Sequence, residues 1–168
     1  MNLSVNLVTS AQRFGDHTAL RMDGQALTYA QLDEATARLA HMMTSMGIGP
    51  GDPIGLMVPN VPEFGLVFYA ALRCGAVVVP MNPLLKEREV AYYLGDSGAR
   101  FVFAWHEVAD AAAAGAKDVG AERVVVGTPE FGESYSSQPP AGEAAARGPS
   151  DTAVILYTSG TTGRPKGA

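Results

Sequence analysis

The sequence predicts an α/β fold with a mainly parallel sheet and helices on both of its faces. Short apolar runs alternate along the chain with stretches of helical periodicity about ten residues long, which is the pattern of repeated strand–helix units. The apolar runs are continuous and do not alternate with polar residues, which indicates strands that are covered on both sides. With 168 residues, 47% of them hydrophobic, the chain is long enough to bury one substantial core.

The first third of the chain predicts a helix, a hairpin and a second, longer helix. Val5–Phe14 is expected to be a short helix, and Asp23-Gly24 between two short apolar runs is typical of a hairpin turn. Thr28 and Gln31 fit the capping box, in which a hydroxyl and an amide each satisfy a backbone N–H at a helix start. An apolar stripe at helical spacing follows, made of Leu32, Ala35, Leu39, Met42 and Met46.

From residue 54 onward the sequence predicts alternating strands and helices. Strands are expected at residues 54–58, 76–79, 100–104, 123–126 and 153–157. Helices are expected at residues 63–73, 86–94 and 106–116. Residues 127–150 are rich in Gly, Pro, Ser and Glu and show no periodicity, so the sequence predicts an exposed, flexible loop there.

Composition narrows the classes of function. The net charge of −5 argues against general DNA or RNA binding, which needs a basic face, but it is compatible with a local ATP site. The chain has one cysteine, Cys74, so no intrachain disulfide can form and a reducing compartment is expected. Neither a signal peptide nor a transmembrane segment is evident, and a cytoplasmic location is the expectation.

Several residue types that often mark active sites are interpreted as structural. Cys74 ends an apolar helix without an evident partner, so core packing is favoured over nucleophilic catalysis. The three histidines, His17, His41 and His106, show no ligand spacing, and no metal-binding residue is predicted. The methionines of residues 42–46 are interpreted as core packing and not as an acyl-binding surface.

The last segment of the chain is the one that indicates function. The apolar run 153–157 leads directly into Thr-Ser-Gly-Thr-Thr-Gly-Arg-Pro-Lys-Gly, residues 158–167, here named the phosphate loop. Its three glycines permit close backbone approach to a ligand, and its hydroxyls and free N–H groups suit phosphate oxygens. Lys166 adds a positive charge. Because open α/β sheets bind ligands at the carboxyl ends of their strands, the segment predicts a polyphosphate site.

The phosphate loop does not fit the common P-loop of nucleotide-binding proteins. That pattern requires a glycine five residues after the first, followed by Lys and then Ser or Thr. Counting from Gly160, Pro165 stands where the second glycine should be, and Gly167 follows Lys166 where Ser or Thr is required.

The sequence instead resembles the adenylate-forming superfamily, which includes acyl-CoA synthetases, peptide-synthetase adenylation domains and luciferases. Residues 157–167, Tyr-Thr-Ser-Gly-Thr-Thr-Gly-Arg-Pro-Lys-Gly, are similar to the signature loop of that group. Three more segments agree in order: residues 27–32 resemble L-T-Y-x-x-L, residues 51–60 resemble G-D-x-V and P-N, and residues 71–83 resemble K-x-G-A-x-x-x-P-x-N-P. Arg73 stands where lysine is common, a change expected to matter little.

This resemblance implies a two-step ligase. A carboxylate attacks the α-phosphate of ATP to give an acyl-adenylate and pyrophosphate, and the thiol of coenzyme A then takes the acyl group. Residues 1–168 would be the incomplete N-terminal subdomain of the adenylation domain, ending at the phosphate loop. A fatty acid is the expected substrate; an aryl-CoA ligase, a carrier-protein-loading adenylation domain and a stand-alone non-catalytic binding or assembly module remain alternatives.

The resemblance also assigns the site. The β- and γ-phosphates of ATP would be lined by Thr158, Ser159, Gly160, Thr161, Thr162 and Gly163. Lys166 would hold the loop or the departing pyrophosphate, and Mg²⁺ is expected as the phosphate counter-ion. The family's catalytic residues, metal ligand and acyl pocket correspond to positions beyond Ala168, so none is assigned here. Residues 1–168 alone are expected to be inactive and, with sheet edges uncovered, to self-associate.

Overall fold

The structure, a computed structural model, describes residues 2–158 and 165–168. Its helices are α1 (Val5–Phe14), α2 (Tyr29–Ser45), α3 (Pro62–Arg73), α4 (Glu87–Ser97), α5 (Ala109–Val119) and α6 (Pro129–Ser136). Its strands are β1 (Thr18–Met22), β2 (Gln25–Thr28), β3 (Pro53–Met57), β4 (Val77–Pro80), β5 (Phe101–Trp105), β6 (Glu122–Val126), β7 (Tyr157–Thr158) and β8 (Lys166–Gly167). A 3₁₀ turn, His106–Val108, precedes α5.

Four strands form a parallel sheet in the order β4-β3-β5-β6, and helices cover both of its faces. On one face α1, α2, α3 and α6 pack against every second strand residue, namely Ile54, Leu56, Val78, Phe101 and Phe103. On the other face α4 and α5 pack against Met57, Val79, Val102 and Ala104. The predicted fold class is confirmed, and all four strands end at the same edge of the sheet, where ligands bind in such folds.

The local signals in the first third of the chain are also confirmed. The Thr28 N–H donates to Gln31 Oε1 at 2.9 Å, and the Gln31 N–H donates to Thr28 Oγ1 at 3.2 Å, so the capping box begins α2. Strands β1 and β2 pair antiparallel around Asp23-Gly24. Met43 is fully buried in the core beneath α2, as the packing interpretation predicts.

Helix α4 lies unusually close to its neighbour α5, and a glycine permits this approach. A Cβ atom added at Gly115 would lie 2.6 Å from both the Glu87 carbonyl oxygen and Val90 Cβ. Such distances are well below ordinary contact, so only glycine fits there. Val90 and Leu94 on α4 are fully buried as a result, and α4 is held firmly against both α5 and the sheet.

The prediction of an exposed, flexible loop at residues 127–150 was wrong for its first part. Residues 129–136 form α6, which begins with Thr128 Oγ1 accepting the Phe131 N–H at 3.2 Å and with Pro129 in its first turn. Both features favour helix starts. Phe131 is buried against the core, because it lies one turn before Tyr135 on the face that packs on α2.

Residues beyond α6 are also tied to the body of the protein. The Ala141 N–H donates to the Ala37 carbonyl, and the Ala145 N–H donates to the Arg73 carbonyl, each at 2.9 Å. These hydrogen bonds attach the segment after α6 to the backbones of α2 and α3.

The strand predicted at residues 153–157 is shorter than expected. Val154 forms an isolated parallel bridge with Val78, through the Val78 N–H to Ala153 carbonyl bond and the Ile155 N–H to Val78 carbonyl bond, each 2.9 Å. The chain then leaves the edge of the sheet, and Tyr157 enters the separate two-stranded pair of β7 and β8. There Tyr157 contacts α4.

Cys74 is buried, in agreement with the packing interpretation. Its Sγ donates to the Ala40 carbonyl at 3.3 Å, and burial raises the pKa of the thiol above its ordinary value. A high pKa disfavours the reactive thiolate.

Within residues 2–158 and 165–168, no helix has both the length and the apolar character that crossing a membrane requires.

Arg73, expected to be an unimportant variation, has a defined structural role. Its side chain is 7% exposed, and its guanidinium pairs with the Asp33 carboxylate, so the ion pair joins α3 to α2 inside the protein. The planar guanidinium is well suited to a partly desolvated carboxylate.

We expect the Asp33→Ala variant to be destabilised by about 2 kcal/mol, because it leaves a buried guanidinium without its partner. Asp33 is itself 27% exposed, which keeps the loss below that of a fully buried pair. The measurement is the urea midpoint of unfolding. Glu34→Ala is the matched control, since Glu34 is 62% exposed in its pair with Arg38. This replacement should lower the free energy of unfolding by less than about 0.5 kcal/mol. Equal shifts in the two variants would contradict the role given to Arg73.

Candidate phosphate-binding site

Two of the predicted site residues, Thr158 and Lys166, lie within the part of the chain that the structure describes. The remaining predicted site residues are outside the described residues: Ser159, Gly160, Thr161, Thr162 and Gly163. Thr158 ends β7 and Lys166 begins β8, so the two residues stand immediately before and shortly after the segment 159–164.

Antiparallel pairing of β7 with β8 brings Thr158 and Lys166 together. Thr158 is the direct partner of Lys166, and Tyr157 is the partner of Gly167. Reciprocal hydrogen bonds between Leu156 and Ala168, 2.9 and 3.0 Å long, extend the ladder by one residue. Directly opposed residues project to the same face, so the Thr158 hydroxyl and the Lys166 ammonium share one face of the pair. Both side chains are exposed.

Tyr157 lies on the opposite face of the β7–β8 pair. Because side chains alternate along a strand, Tyr157 and Gly167 point away from the face of Thr158 and Lys166. A Cβ atom added at Gly167 would lie 2.9 Å from Ile155 Cγ2 and 3.1 Å from Tyr157 Cζ. The last glycine of the phosphate loop is therefore required for the tyrosine ring to lie across β8.

Tyr157 is fixed to helix α4 by its ring and by its hydroxyl. Its ring stacks on Tyr93 with centroids 4.3 Å apart, and Tyr92 meets it edge-on at 6.3 Å. Its hydroxyl donates to Asp96 Oδ2 at 2.6 Å. Burial, followed by this hydrogen bond to a carboxylate, raises the pKa of Tyr157 well above its ordinary value.

The other flank of the segment is fixed to the same helix. The Tyr92 hydroxyl donates to the Pro165 carbonyl at 2.8 Å, one residue before Lys166. Sequence reasoning did not find Tyr92 or Asp96. They lie 73 and 61 residues from their partners, and no local pattern in α4 distinguishes them from other polar residues of a half-exposed helix.

An open cavity of about 550 Å³ lies where β3 and β4 end. It is lined largely by apolar residues of 58–64 and 80–84. Asn82 stands at its rim, where its Oδ1 accepts the Leu84 N–H at 2.9 Å and so stabilises the turn after β4. Asn82 falls in a segment of family resemblance, and the structure gives it this structural role.

The geometry of Thr158 and Lys166 suits a polyphosphate. A hydroxyl and an ammonium on one exposed face can donate to neighbouring phosphate oxygens, and the charge of Lys166 favours the binding of anions. Among the described residues Lys166 has no carboxylate within ion-pair distance, so its charge is not neutralised there. The pair can bind phosphate oxygens and stabilise negative charge as it develops on them.

The raised pKa of Tyr157 predicts a pH-dependent stability. Below about pH 10 the hydroxyl is neutral in the folded and unfolded states, and its stabilisation is fully present. At higher pH the unfolded state loses this proton first, so the stabilisation declines. We expect the urea midpoint of the wild type to fall more steeply above about pH 10 than that of Tyr157→Phe. Parallel curves for the wild type and Tyr157→Phe would contradict the assignment.

Comparison with known proteins places the chain in a family. Residues 7–168 match the AMP-binding enzyme family. The long-chain-fatty-acid–CoA ligase FadD13 of Mycobacterium tuberculosis is 39% identical over 144 residues, which cover 84% of this chain and 29% of that protein. Surfactin synthase subunit 3 of Bacillus subtilis is 35% identical over 158 residues, covering 90% of this chain and 12% of that protein. The chain thus spans less than a third of these relatives.

Solved structures agree with this placement. A benzoate CoA ligase from Burkholderia xenovorans superposes with a TM-score of 0.89 at 29% identity, over 99% of this chain and 34% of that one. ATP-bound MatB from Rhodopseudomonas palustris superposes with a TM-score of 0.85 at 29% identity, over the same shares of the two chains. The match to residues 7–168 and these superpositions together show that the chain belongs to the AMP-binding enzyme family, with the fold of the N-terminal part of adenylate-forming CoA ligases.

Proposed function

We propose that the complete gene product is an ATP-dependent acyl-CoA ligase that activates a fatty acid as its acyl-adenylate and transfers the acyl group to coenzyme A. The observation that supports this most directly is the pairing of Thr158 with Lys166 on one exposed face, at the two ends of a segment rich in glycine and hydroxyl groups. Family membership supplies the reaction class.

In this proposal the phosphate loop binds the β- and γ-phosphates of ATP. The Thr158 hydroxyl and the residues of 159–163 would donate hydrogen bonds to phosphate oxygens, and Lys166 would hold the pyrophosphate as it leaves. ATP supplies the α-phosphate that the carboxylate attacks. Lys166 then contributes to the rate because negative charge moves onto the pyrophosphate in the transition state. Mg²⁺ accompanies the phosphates as counter-ion.

A fatty acid is the proposed substrate class because FadD13, at 39% identity, is named as a long-chain-fatty-acid–CoA ligase. Two specific observations favour alternatives. The benzoate CoA ligase superposes on 99% of the chain, which supports an aryl-CoA ligase. The surfactin synthase subunit is 35% identical, which supports a carrier-protein-loading adenylation domain.

The test of the proposed function is carboxylate-dependent exchange of pyrophosphate into ATP by the complete gene product, measured with Mg²⁺ against a panel of fatty, aromatic and amino acids. We expect exchange with fatty acids and formation of the corresponding acyl-CoA when coenzyme A is added. Exchange with aromatic acids or amino acids alone would favour the respective alternative. No exchange with any acid by folded protein would reject ligase activity and favour a non-catalytic binding module.

We expect Lys166→Ala to lower kcat/KM for ATP in this assay by about 10- to 100-fold, because one charge that stabilises the departing pyrophosphate is lost. Lys117→Ala is the matched control. Lys117 is also exposed, but it lies on α5 and outside the phosphate loop. If Lys166→Ala and Lys117→Ala had the same kcat/KM for ATP, Lys166 would have no role in the site.

A further inference from the structure

Helix α4 holds both flanks of segment 159–164 by separate hydrogen bonds. On one side the Tyr157 hydroxyl donates to Asp96 Oδ2 at 2.6 Å, and on the other the Tyr92 hydroxyl donates to the Pro165 carbonyl at 2.8 Å. Tyr92 and Asp96 are four residues apart in a helix, so they lie on one face about 6 Å apart along the helix axis. One turn of α4 therefore contacts the chain both before and after the segment.

We propose that Asp96 and Tyr92 are positioning residues that fix Thr158 and Lys166 in the spacing required by the phosphates of ATP. Asp96 acts through Tyr157, the residue before Thr158, and Tyr92 acts through Pro165, the residue before Lys166. The inference rests on the proposed function, because it concerns the affinity of the same site for ATP.

The anchoring helix is suited to this role because it is rigid. Val90 and Leu94 are fully buried on the side of α4 that faces the sheet. The first turn of the helix is capped, since the Lys86 N–H donates to Glu89 Oε2 at 2.9 Å. A site that must hold its groups within a fraction of an ångström is best supported by such an element. Misplacement of about 1 Å can cost a factor of about 100 in rate.

The hydroxyl groups of Tyr92 and Tyr157 have a role distinct from that of their rings. Tyr157 also packs against the apolar cluster beneath α4, together with Tyr93 and Ile155. If packing alone fixed the two flanks, phenylalanine would replace either tyrosine without effect on the affinity for ATP. If the hydrogen bonds fix them, phenylalanine keeps the ring contacts and loses the anchor. The two possibilities therefore differ in a measurable quantity, the KM for ATP.

The experiment uses the complete gene product in pyrophosphate exchange and measures KM for ATP and for the carboxylic acid separately. We expect Tyr92→Phe and Asp96→Ala each to raise KM for ATP about 10-fold and to leave KM for the acid within about 2-fold. Asp96→Asn should be close to wild type, because the amide oxygen still accepts the Tyr157 hydroxyl. Tyr69→Phe is the control, since the Tyr69 hydroxyl forms no hydrogen bond with any of the described residues.

A double-mutant cycle tests the link between Asp96 and Tyr157. Tyr157→Phe combined with Asp96→Ala should raise KM for ATP no more than either change alone, because both remove the same hydrogen bond. If the two changes instead multiplied each other's effect on KM for ATP, Asp96 would not act through Tyr157. Unchanged KM for ATP in Tyr92→Phe and Asp96→Ala, or an equal rise of KM for the acid, would overturn the positioning role.

A second measurement separates failure of this inference from failure of the proposed function. Trypsin cleavage at Lys166–Gly167 in the native protein, followed by mass spectrometry, reports how firmly β8 is held without reference to activity. We expect cleavage about 5-fold faster in Tyr92→Phe and Asp96→Ala than in the wild type and in Tyr69→Phe. If the wild type shows no exchange, the proposed function fails, while faster cleavage still supports the anchor and equal cleavage overturns it.

Discussion

The close packing of α4 on α5 and on the sheet is the constraint on which the candidate site depends. A glycine at residue 115 removes the side chain that would otherwise separate the two helices. Val90 and Leu94 can then be fully buried, and the remaining faces of α4 are left to make other contacts. Tyr92 and Asp96 lie on such a face and form hydrogen bonds to the chain on either side of segment 159–164. A shift of α4 would therefore move both flanks together.

The alternation of side chains along β7 and β8 separates the structural residues from the candidate binding residues. Tyr157 points towards α4, and the space across from it is kept open by Gly167. Thr158 and Lys166 point the other way and remain exposed. A glycine of the phosphate loop thus has a packing role that is independent of any contact with a ligand, and the tyrosine before the loop is an anchor.

The parts of the fold that depend on local chemistry could be predicted from the sequence. The capping box of Thr28 and Gln31 and the continuous apolar strands required only neighbouring residues to be recognised. The helix α6 was missed because its surroundings, rich in Gly, Pro and Ser, outweighed the start signal at Thr128-Pro129. The ion pair of Arg73 with Asp33 was not predicted because it joins residues 40 positions apart.

The same distinction applies to the candidate site. The residue types of 158–167, their position after an apolar run and their resemblance to a family signature predict phosphate chemistry, and the structure pairs Thr158 with Lys166. The prediction for Ser159, Gly160, Thr161, Thr162 and Gly163 stays a prediction, since they lie outside the described residues. Tyr92 and Asp96 act through contacts across more than 60 residues, and only tertiary structure reveals such contacts.

The chemistry of Thr158 and Lys166 is independent of the acid that is activated in the proposed reaction. A hydroxyl and an ammonium suit phosphate oxygens, and in the proposed reaction those oxygens belong to ATP whichever acid is activated. Relatives named as a long-chain-fatty-acid–CoA ligase and a surfactin synthase subunit match this chain at 39% identity over 144 residues and 35% over 158 residues. Discrimination between acids needs a pocket shaped to the acyl group, and such a pocket gains only about 1–3 kcal/mol for each additional methylene group that it fills. In the proposed reaction, Thr158 and Lys166 therefore serve the adenylation of any carboxylate, and residues that contact the acyl group determine which one is activated.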